Sequence, residues 1–202
     1  MRHLIVITTP TLYPDEGELI SSLFNEGLEK LHLRKPEAYA DSLIHLLEQI
    51  PEEYYSRRVL HDHFEITTTF PVGGIHLNKR NTDIPVHFKG SVSRSCHSLK
   101  ELEEWKNLDY LFLSPIFQSI SKEGYGNGFP WNDLVEASNK GIITPRVFAL
   151  GGMNVEQIQQ TKDLNFGGAV VLGALWGKNP SCQEKENIIH RFNQLQRAIK
   201  EL

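Results

Sequence analysis

Short apolar runs alternate with amphipathic segments along almost the whole chain, which predicts eight strand-then-helix units. The predicted strands are apolar on both faces, as in parallel strands enclosed by a shell of helices. They cover residues 4–8, 30–35, 58–63, 74–77, 90–95, 110–113, 146–150 and 168–172. Leu19, Leu23 and Phe24 line one side of the first predicted helix, and the connection after the fourth strand has little room for a helix.

Helix starts are predicted by capping residues at three places in the chain. Ser98 with Glu101 and Ser181 with Glu184 both match the capping box, in which a hydroxyl and a carboxylate satisfy free backbone N–H groups. Asn154 has the side chain preferred at the residue before a helix. Each of these positions follows a predicted strand, which supports a regular alternation of strands and helices.

The last third of the chain contains two glycine turns directly after predicted strands. Gly151 and Gly152 follow one strand, and Gly173 and Ala174 follow the next. A glycine turn that leads into a helix leaves backbone N–H groups unpaired and directed outward, which favours binding of a phosphate group. Two such turns at the end of eight units are typical of a (β/α)8 barrel, whose phosphate site follows strands seven and eight.

We therefore predict an α/β protein with one TIM-barrel domain over residues 1–202. A chain of 202 residues is near the lower limit of about 200 for this fold, so the loops must be short. The exception is residues 114–130, a long polar segment after the sixth strand that we interpret as an active-site lid. A plain surface loop is the alternative interpretation.

Composition narrows the class of ligand. Hydrophobic residues make up 40% and charged residues 23% of the chain, and the net charge of −4 does not favour nucleic acid. Cys96 and Cys182 lie far apart, and we find neither a signal peptide nor a run long enough to span a membrane. We expect a cytoplasmic protein that acts on small phosphorylated molecules without nucleic acid or membrane partners. The sequence does not decide between a monomer and a homo-oligomer.

Two cations end the second predicted strand. Because side chains alternate along a strand, His32 and Arg34 should share one face and Lys35 the other. If the shared face is the interior, Arg34 lies at the barrel mouth, where a guanidinium suits contact with two phosphate oxygens. The alternative is a solvated charge pair at a strand end.

The third strand ends in His61-Asp62-His63, which offers two kinds of metal ligand. A carboxylate suits Mg²⁺, which prefers carboxylates, water and substrate phosphates. The two histidines could instead indicate zinc, but no further ligand is evident nearby in the sequence. We favour magnesium because of the predicted phosphate. The lone His76 on the fourth strand is more typical of a core position than of a ligand contact.

Hydroxyl groups and a lysine follow the fifth and sixth strands. Ser95 is a plausible hydrogen-bond donor to a phosphate or a ring, whereas a thiol nucleophile at Cys96 beside His97 is disfavoured because adjacent residues seldom face each other. Ser119, Ser121 and Lys122 form a predicted anion clamp. A solvated polar loop is the alternative for this last group.

In order along the chain, these motifs resemble those of the thiamine phosphate synthase family, also called thiamine-phosphate pyrophosphorylase. The family motifs are Gln-Leu-Arg-x-Lys, Asn-Asp-Arg, Gly-Val-His-Leu-Gly-Gln-x-Asp, Ser-x-His-Ser, Gly-Pro-Val-Phe, Thr-x-Thr-Lys, Gly-Gly-Ile and Val-Val-Ser-Ala-Ile. The corresponding segments here are 32–36, 61–63, 74–81, 95–98, 114–117, 119–122, 151–153 and 171–175. The order of the motifs is more specific than any one of them.

The resemblance implies that a pyrimidine diphosphate loses pyrophosphate with the help of Mg²⁺ and is captured by the ring nitrogen of a thiazole phosphate. It implies catalytic roles for Arg34 and Lys122 on the departing pyrophosphate, and metal binding by Asp62 and Asn81. The implied substrate-binding residues are His32, Lys35, His61, Ser95, Ser119, Ser121, Gly151, Gly152, Gly173 and Ala174.

Departures from the family pattern leave other functions open. Asn81 replaces the second metal aspartate and Pro36 the strand-two lysine, which favours a non-catalytic or regulatory paralogue that binds thiazole or thiamine phosphate. A thiazole tautomerase-like enzyme is a second alternative, but Pro115 stands where that branch has its catalytic histidine. An unrelated phosphosugar isomerase would need an acid–base pair that we cannot assign.

Overall fold

Eight parallel strands form a closed barrel in the computed structural model, which describes residues 2–117 and 128–201. The strands follow chain order around the barrel, and pairing of the first strand with the eighth closes it. Their bounds are β1 His3–Ile7, β2 Lys30–Leu33, β3 Arg58–Leu60, β4 Gly74–Leu77, β5 Ser91–Cys96, β6 Tyr110–Leu113, β7 Val147–Leu150 and β8 Gly168–Val171. The predicted (β/α)8 TIM-barrel fold is confirmed.

Helices surround the barrel but are unevenly distributed among the units. The α-helices are α1 Glu16–Asn25, α2 Ala40–Glu48, α3 Leu99–Glu104, α4 Trp131–Asn139, α5 Val155–Gln160, α6 Gly173–Trp176 and α7 Lys185–Lys200. Short 3₁₀ helices cover Glu52–Arg57, Phe64–Thr68 and Cys182–Glu184, and turns without a helix connect β4 to β5, as predicted. Within the described ranges, none of the helices combines the length and apolar character needed to cross a bilayer.

Two of the three predicted helix caps form. The Ser98 hydroxyl accepts a hydrogen bond from the Glu101 N–H at 3.2 Å, and the Asn154 side-chain oxygen accepts two at the start of α5. The prediction at Ser181 is wrong, because its side chain makes no capping bond. A 3₁₀ turn intervenes there, so α7 begins only at Lys185.

Alternation of side chains along the strands separates two buried regions. Outward-facing residues pack against the helices and form the larger core, which includes Leu33 and Leu60. The barrel interior holds a smaller apolar cluster, contributed by β1 and β6–β8: Ile5, Ile7, Tyr110, Phe112, Phe148 and Val170. The inward-facing side chains of β2–β5 are mainly polar, and they form the first part of the candidate site.

Candidate active site

A hydrogen-bonded chain of aromatic side chains occupies the polar side of the barrel interior. The two ring nitrogens of His32 bond His61 Nε2 and the Tyr110 hydroxyl, both at 2.8 Å. The His61 and His76 rings stack with centroids 4.2 Å apart, and the His32 ring is edge-on to both. His32 and His61, predicted as substrate-binding, therefore lie together with His76, which the sequence alone indicated as a core residue.

Serine hydroxyls of β5 hold the His76 ring in place. Its Nδ1 lies 2.8 Å from Ser93 Oγ and its Nε2 lies 3.0 Å from Ser95 Oγ. Burial lowers the pKa of His76 to about 3 and lowers the pKa values of His32 and His61 well below the usual range. All three imidazoles are therefore neutral at pH 7, and the interior presents hydrogen-bonding groups without a buried charge.

Arg34 is the residue directly after β2, two positions beyond His32, and lies at the barrel mouth. Its backbone N–H donates to Thr8 Oγ1 at 3.0 Å, which ties the end of β2 to the residue after β1. Its positive charge contributes to the lowered pKa values of His61 and His76. The guanidinium makes no hydrogen bond or ion pair within residues 2–117 and 128–201, so it is available to a ligand.

Lys35 faces the opposite side of the chain from Arg34, as alternation predicts. Its ammonium lies 2.6 and 2.7 Å from the two carboxylate oxygens of Glu16 and 2.8 Å from the Thr11 carbonyl oxygen. Both charged side chains are fully buried. The structure thus places Lys35 in an ion pair between β2 and α1 and does not bring it to the other predicted site residues.

Asp62, the predicted metal ligand after β3, is bound on one side by an arginine. Its Oδ1 accepts hydrogen bonds from Arg80 Nη2 at 2.7 Å, Arg80 Nε at 3.0 Å and Asn81 Nδ2 at 3.2 Å. Its Oδ2 is buried and has no hydrogen-bond partner among the described residues. Asp62 and Asn81 are therefore brought together as predicted, with one carboxylate oxygen left for a further ligand.

A turn after β4 places Arg80 at this position. The Asn78 side-chain amide donates to the His61 carbonyl oxygen at 2.5 Å, while its oxygen accepts from the Arg80 N–H at 2.9 Å. The Arg80 side chain is 47% exposed, so its guanidinium meets both Asp62 and solvent. We did not single out Arg80 from the sequence, although its place immediately before Asn81 in the predicted metal segment was a usable signal.

The glycine turns lie on the other side of the mouth, after β7 and β8. Gly151 and Gly152 have positive φ angles of 98° and 65°, which favour glycine. A Cβ on Gly151 would also lie 2.7 Å from Pro115 Cα. Among the described residues, the backbone N–H groups of Gly152, Gly173 and Ala174 have no acceptor, as expected for an anion site.

The ends of β5 and β6 contact each other beside these turns. His97 Nδ1 bonds the Ser114 carbonyl oxygen at 2.9 Å, so this histidine anchors the start of the long loop. Burial raises the pKa of the Cys96 thiol to about 12, which excludes a reactive thiolate at neutral pH. Ser119, Ser121 and Lys122, the predicted anion clamp, lie outside the described residues.

Comparison with known proteins adds evidence of descent. The family model described as thiamine monophosphate synthase matches residues 4–175. The chain belongs to this family. Thiamine-phosphate synthase of Fusobacterium nucleatum is 23% identical over 156 residues, which are 73% of either chain. Thiamine-phosphate synthase of Pyrococcus abyssi is 24% identical over 200 residues, 92% of either chain.

Solved structures show the same relationship. A crystal structure of thiamine phosphate pyrophosphorylase from Bacteroides thetaiotaomicron superposes with a TM-score of 0.88 at 43% identity, covering 98% of both chains. The Pyrococcus furiosus thiamine phosphate pyrophosphorylase has a TM-score of 0.76 at 20% identity over 98% of this chain and 96% of that one, which supports the fold alone. Membership in the thiamine monophosphate synthase family thus agrees with the resemblance seen in the motifs.

Proposed function

We propose that this chain makes thiamine phosphate from two smaller phosphorylated molecules. The bond between the methylene carbon of hydroxymethylpyrimidine diphosphate and its diphosphate oxygen breaks, and pyrophosphate leaves with the electron pair. The ring nitrogen of thiazole phosphate then forms the new C–N bond to that carbon. Besides family membership, one observation carries the proposal: the mouth has two separate groups of hydrogen-bond donors suited to an anion, guanidinium groups on β2–β4 and free backbone N–H groups on β7–β8.

The diphosphate would bind on the β2–β4 side, where two guanidinium groups meet solvent. Arg34 has no competing partner in the described chain, and Arg80 is held by Asp62 while remaining 47% exposed. Guanidinium groups bind phosphate oxygens with paired, charge-assisted hydrogen bonds. These bonds strengthen as charge builds up on the leaving pyrophosphate, so they stabilise the transition state more than the bound substrate.

The thiazole phosphate would bind on the β7–β8 side, where backbone groups replace side-chain charges. The N–H groups of Gly152, Gly173 and Ala174 have no acceptor in the described chain, and three phosphate oxygens would satisfy them. In a closed sheet of eight strands, β3 and β7 lie opposite each other. The two anions would therefore lie on opposite sides of the mouth, and the reacting rings would meet between them.

The rings would contact the polar side of the interior. His61 and Ser95 can exchange hydrogen bonds with the nitrogen atoms of a pyrimidine, because their neutral side chains both donate and accept. His32 would act through His61, since both of its ring nitrogens are already bonded. By resemblance to the family, Ser119, Ser121 and Lys122 would contact the diphosphate from the long loop.

Asp62 fits a role in holding Mg²⁺. Its buried Oδ2 has no partner among the described residues, and a Mg²⁺ ion needs only one or two carboxylates beside water and substrate phosphates. Asn81 would add a neutral carbonyl oxygen as a ligand. The positive charge of Arg80, which is bound to Oδ1, would lower the affinity of Asp62 for Mg²⁺. When bound, Mg²⁺ would neutralise part of the diphosphate charge.

The deciding experiment is a pyrophosphate-release assay on the purified chain with both substrates, with Mg²⁺ and with a chelator. We expect release that requires both substrates and increases with Mg²⁺. Asp62→Asn and Lys122→Ala should each remove most turnover and leave the fold intact. No release from correctly folded protein, despite tight binding of thiazole phosphate, would contradict the proposal and favour a non-catalytic binding protein.

A second comparison tests Arg80. Arg80→Ala should lower kcat/KM by about 10–100-fold, the effect expected from losing charge-assisted hydrogen bonds to a substrate. Lys79→Ala removes an adjacent exposed cation and is the matched control, which should leave the rate near that of the parent. Equal effects of both substitutions would show that only general positive charge matters at this turn.

A further inference from the structure

Three histidines from neighbouring strands converge inside the barrel. One ring nitrogen from each of His32, His61 and His76 lies within 4.8 Å of the nitrogens of the other two. Their exposed fractions are 0%, 4% and 2%. The His-x-His spacing at 61 and 63 left zinc as the alternative to magnesium, but His63 lies outside the cluster and bonds the Ala38 carbonyl oxygen at 2.8 Å.

Hydroxyl groups already orient the outer nitrogens of two of these rings, those of His32 and His76. His32 Nε2 bonds the Tyr110 hydroxyl and His76 Nδ1 bonds Ser93 Oγ, both at 2.8 Å. Metal-binding histidines almost always use their second nitrogen in this way, since the outer hydrogen bond fixes the tautomer and the ring orientation. His32 Nδ1 and His61 Nε2 then face each other, whereas His76 Nε2 bonds Ser95 Oγ at 3.0 Å in the metal-free protein and would exchange that bond for the metal ion.

The chemistry of the three rings also fits a metal ion. All three rings are buried, and neutral imidazole is the form of histidine that binds metals. An all-nitrogen ligand set favours zinc and its neighbours over magnesium or calcium. Three protein ligands leave a fourth position of a tetrahedral ion unfilled, which is the arrangement of catalytic zinc sites, where an anion or water completes the coordination.

We propose that His32, His61 and His76 form a binding site for one transition-metal dication of the zinc class, distinct from the carboxylate of Asp62. In the metal-free protein a shared proton joins His32 Nδ1 and His61 Nε2 at 2.8 Å. On binding zinc, the ring that donates in this bond would carry its proton on its other nitrogen instead, and the two ligand nitrogens would lie about 3.3 Å apart, as a tetrahedral ion with Zn–N bonds of about 2.0–2.1 Å requires. The proposal does not depend on the proposed synthase activity.

The test is a titration of the untagged, chelator-treated full chain with Zn²⁺ by calorimetry, and with Co²⁺ by visible spectroscopy. We expect one ion per chain, no displacement by excess Mg²⁺, and the intense visible absorption of four-coordinate cobalt. Tyr110→Phe should weaken binding by roughly 10–100-fold, the usual cost of losing an outer hydrogen bond to a ligand. His32→Gln, His61→Asn and His76→Gln should each weaken it further.

His63→Ala is the matched control, because it removes a histidine of the same segment that lies outside the cluster. It should bind zinc like the parent, and a loss of binding there would overturn the proposal. The proposal would also be overturned if the parent does not bind zinc, or if each of the three cluster variants binds zinc as tightly as the parent. If the cluster variants do not fold, X-ray absorption of the zinc-loaded parent decides, since scattering from fewer than three imidazoles contradicts the assignment.

Discussion

The two sides of the barrel interior differ sharply in chemistry although they belong to one closed sheet. The side formed by β1 and β6–β8 is filled mainly by aliphatic and aromatic side chains such as Ile5, Phe148 and Val170. The side formed by β2–β5 holds His32, His61 and His76 with the serines of β5. The apolar side gains free energy by burial, whereas the polar side offsets a desolvation cost only through mutual hydrogen bonds.

This difference indicates that the apolar side serves mainly stability and the polar side serves ligand binding as well. Barrel interiors are usually filled by bulky branched side chains, so three buried imidazoles are a costly choice for stability alone. The polar side also continues into Arg34, Asp62 and Arg80 at the mouth, where the ligand charges are expected. We therefore expect substitutions on the apolar side to change stability, and substitutions on the polar side to change ligand binding as well.

The largest effect on stability should come from emptying the apolar side. Ile5→Ala should lower the free energy of unfolding by about 2–5 kcal/mol, because it removes buried methyl groups and leaves a cavity. Urea denaturation measures the loss of stability. In calorimetry, the Ile5→Ala variant should bind thiazole phosphate with the same affinity as the parent protein. A parallel loss of affinity would remove the distinction between the two sides.

A smaller effect is expected from cutting the hydrogen-bonded chain on the polar side. His32→Leu should lower the free energy of unfolding by about 1–3 kcal/mol, because it leaves His61 Nε2 without its partner and unpairs the Tyr110 hydroxyl. In a cycle with Tyr110→Phe, the two costs should not add, with a coupling energy of about 0.5–3 kcal/mol. Strict additivity in urea denaturation would contradict the hydrogen bond between them.

The third effect, which is small over any one pH unit, is a dependence of stability on pH that the polar side confers and the apolar side does not. Unfolded histidine takes up a proton near its ordinary pKa of 6.5, whereas folded His76 has a pKa of about 3. The unfolded state therefore binds more protons between these values, and the free energy of unfolding falls as the pH drops below 6.5. One such histidine contributes a slope of about 1.4 kcal/mol per pH unit.

Two variants separate this slope from a general loss of stability. His76→Asn should reduce the slope of the free energy of unfolding against pH by about 1.4 kcal/mol per pH unit, as measured by urea denaturation at several pH values. Val170→Ala, on the apolar side, should shift the whole curve to lower stability without changing its slope. Identical slopes in the parent and His76→Asn would show that the pKa of His76 is the same in the folded and unfolded states and would contradict this account.

Local pattern was enough to predict most of the fold. β4 and β6 have the predicted bounds, and the caps at Ser98 and Asn154 form, because strand apolarity and capping depend on residues near in sequence. Ser181 shows the limit of that reasoning. It has the same capping pattern as Ser98, but a 3₁₀ turn separates it from α7, and the pattern does not encode that choice.

The site was predicted less completely, because its contacts depend on register between strands. Alternation placed Lys35 opposite Arg34, but the buried partner Glu16 belongs to a helix that only the folded barrel brings near. The meeting of His32, His61 and His76 requires the relative heights of β2, β3 and β4. The sequence does not specify those heights, so the histidines were judged one at a time.

The account is tested most directly by a crystal structure of the chain with pyrophosphate and thiamine phosphate. We predict pyrophosphate within hydrogen-bonding distance of Arg34 and Arg80, the thiazole phosphate on the N–H groups of Gly152 and Ala174, and the pyrimidine against the β2–β5 side. Binding of either anion at the opposite opening of the barrel, a pocket lined by Lys30 and Arg146, would contradict it.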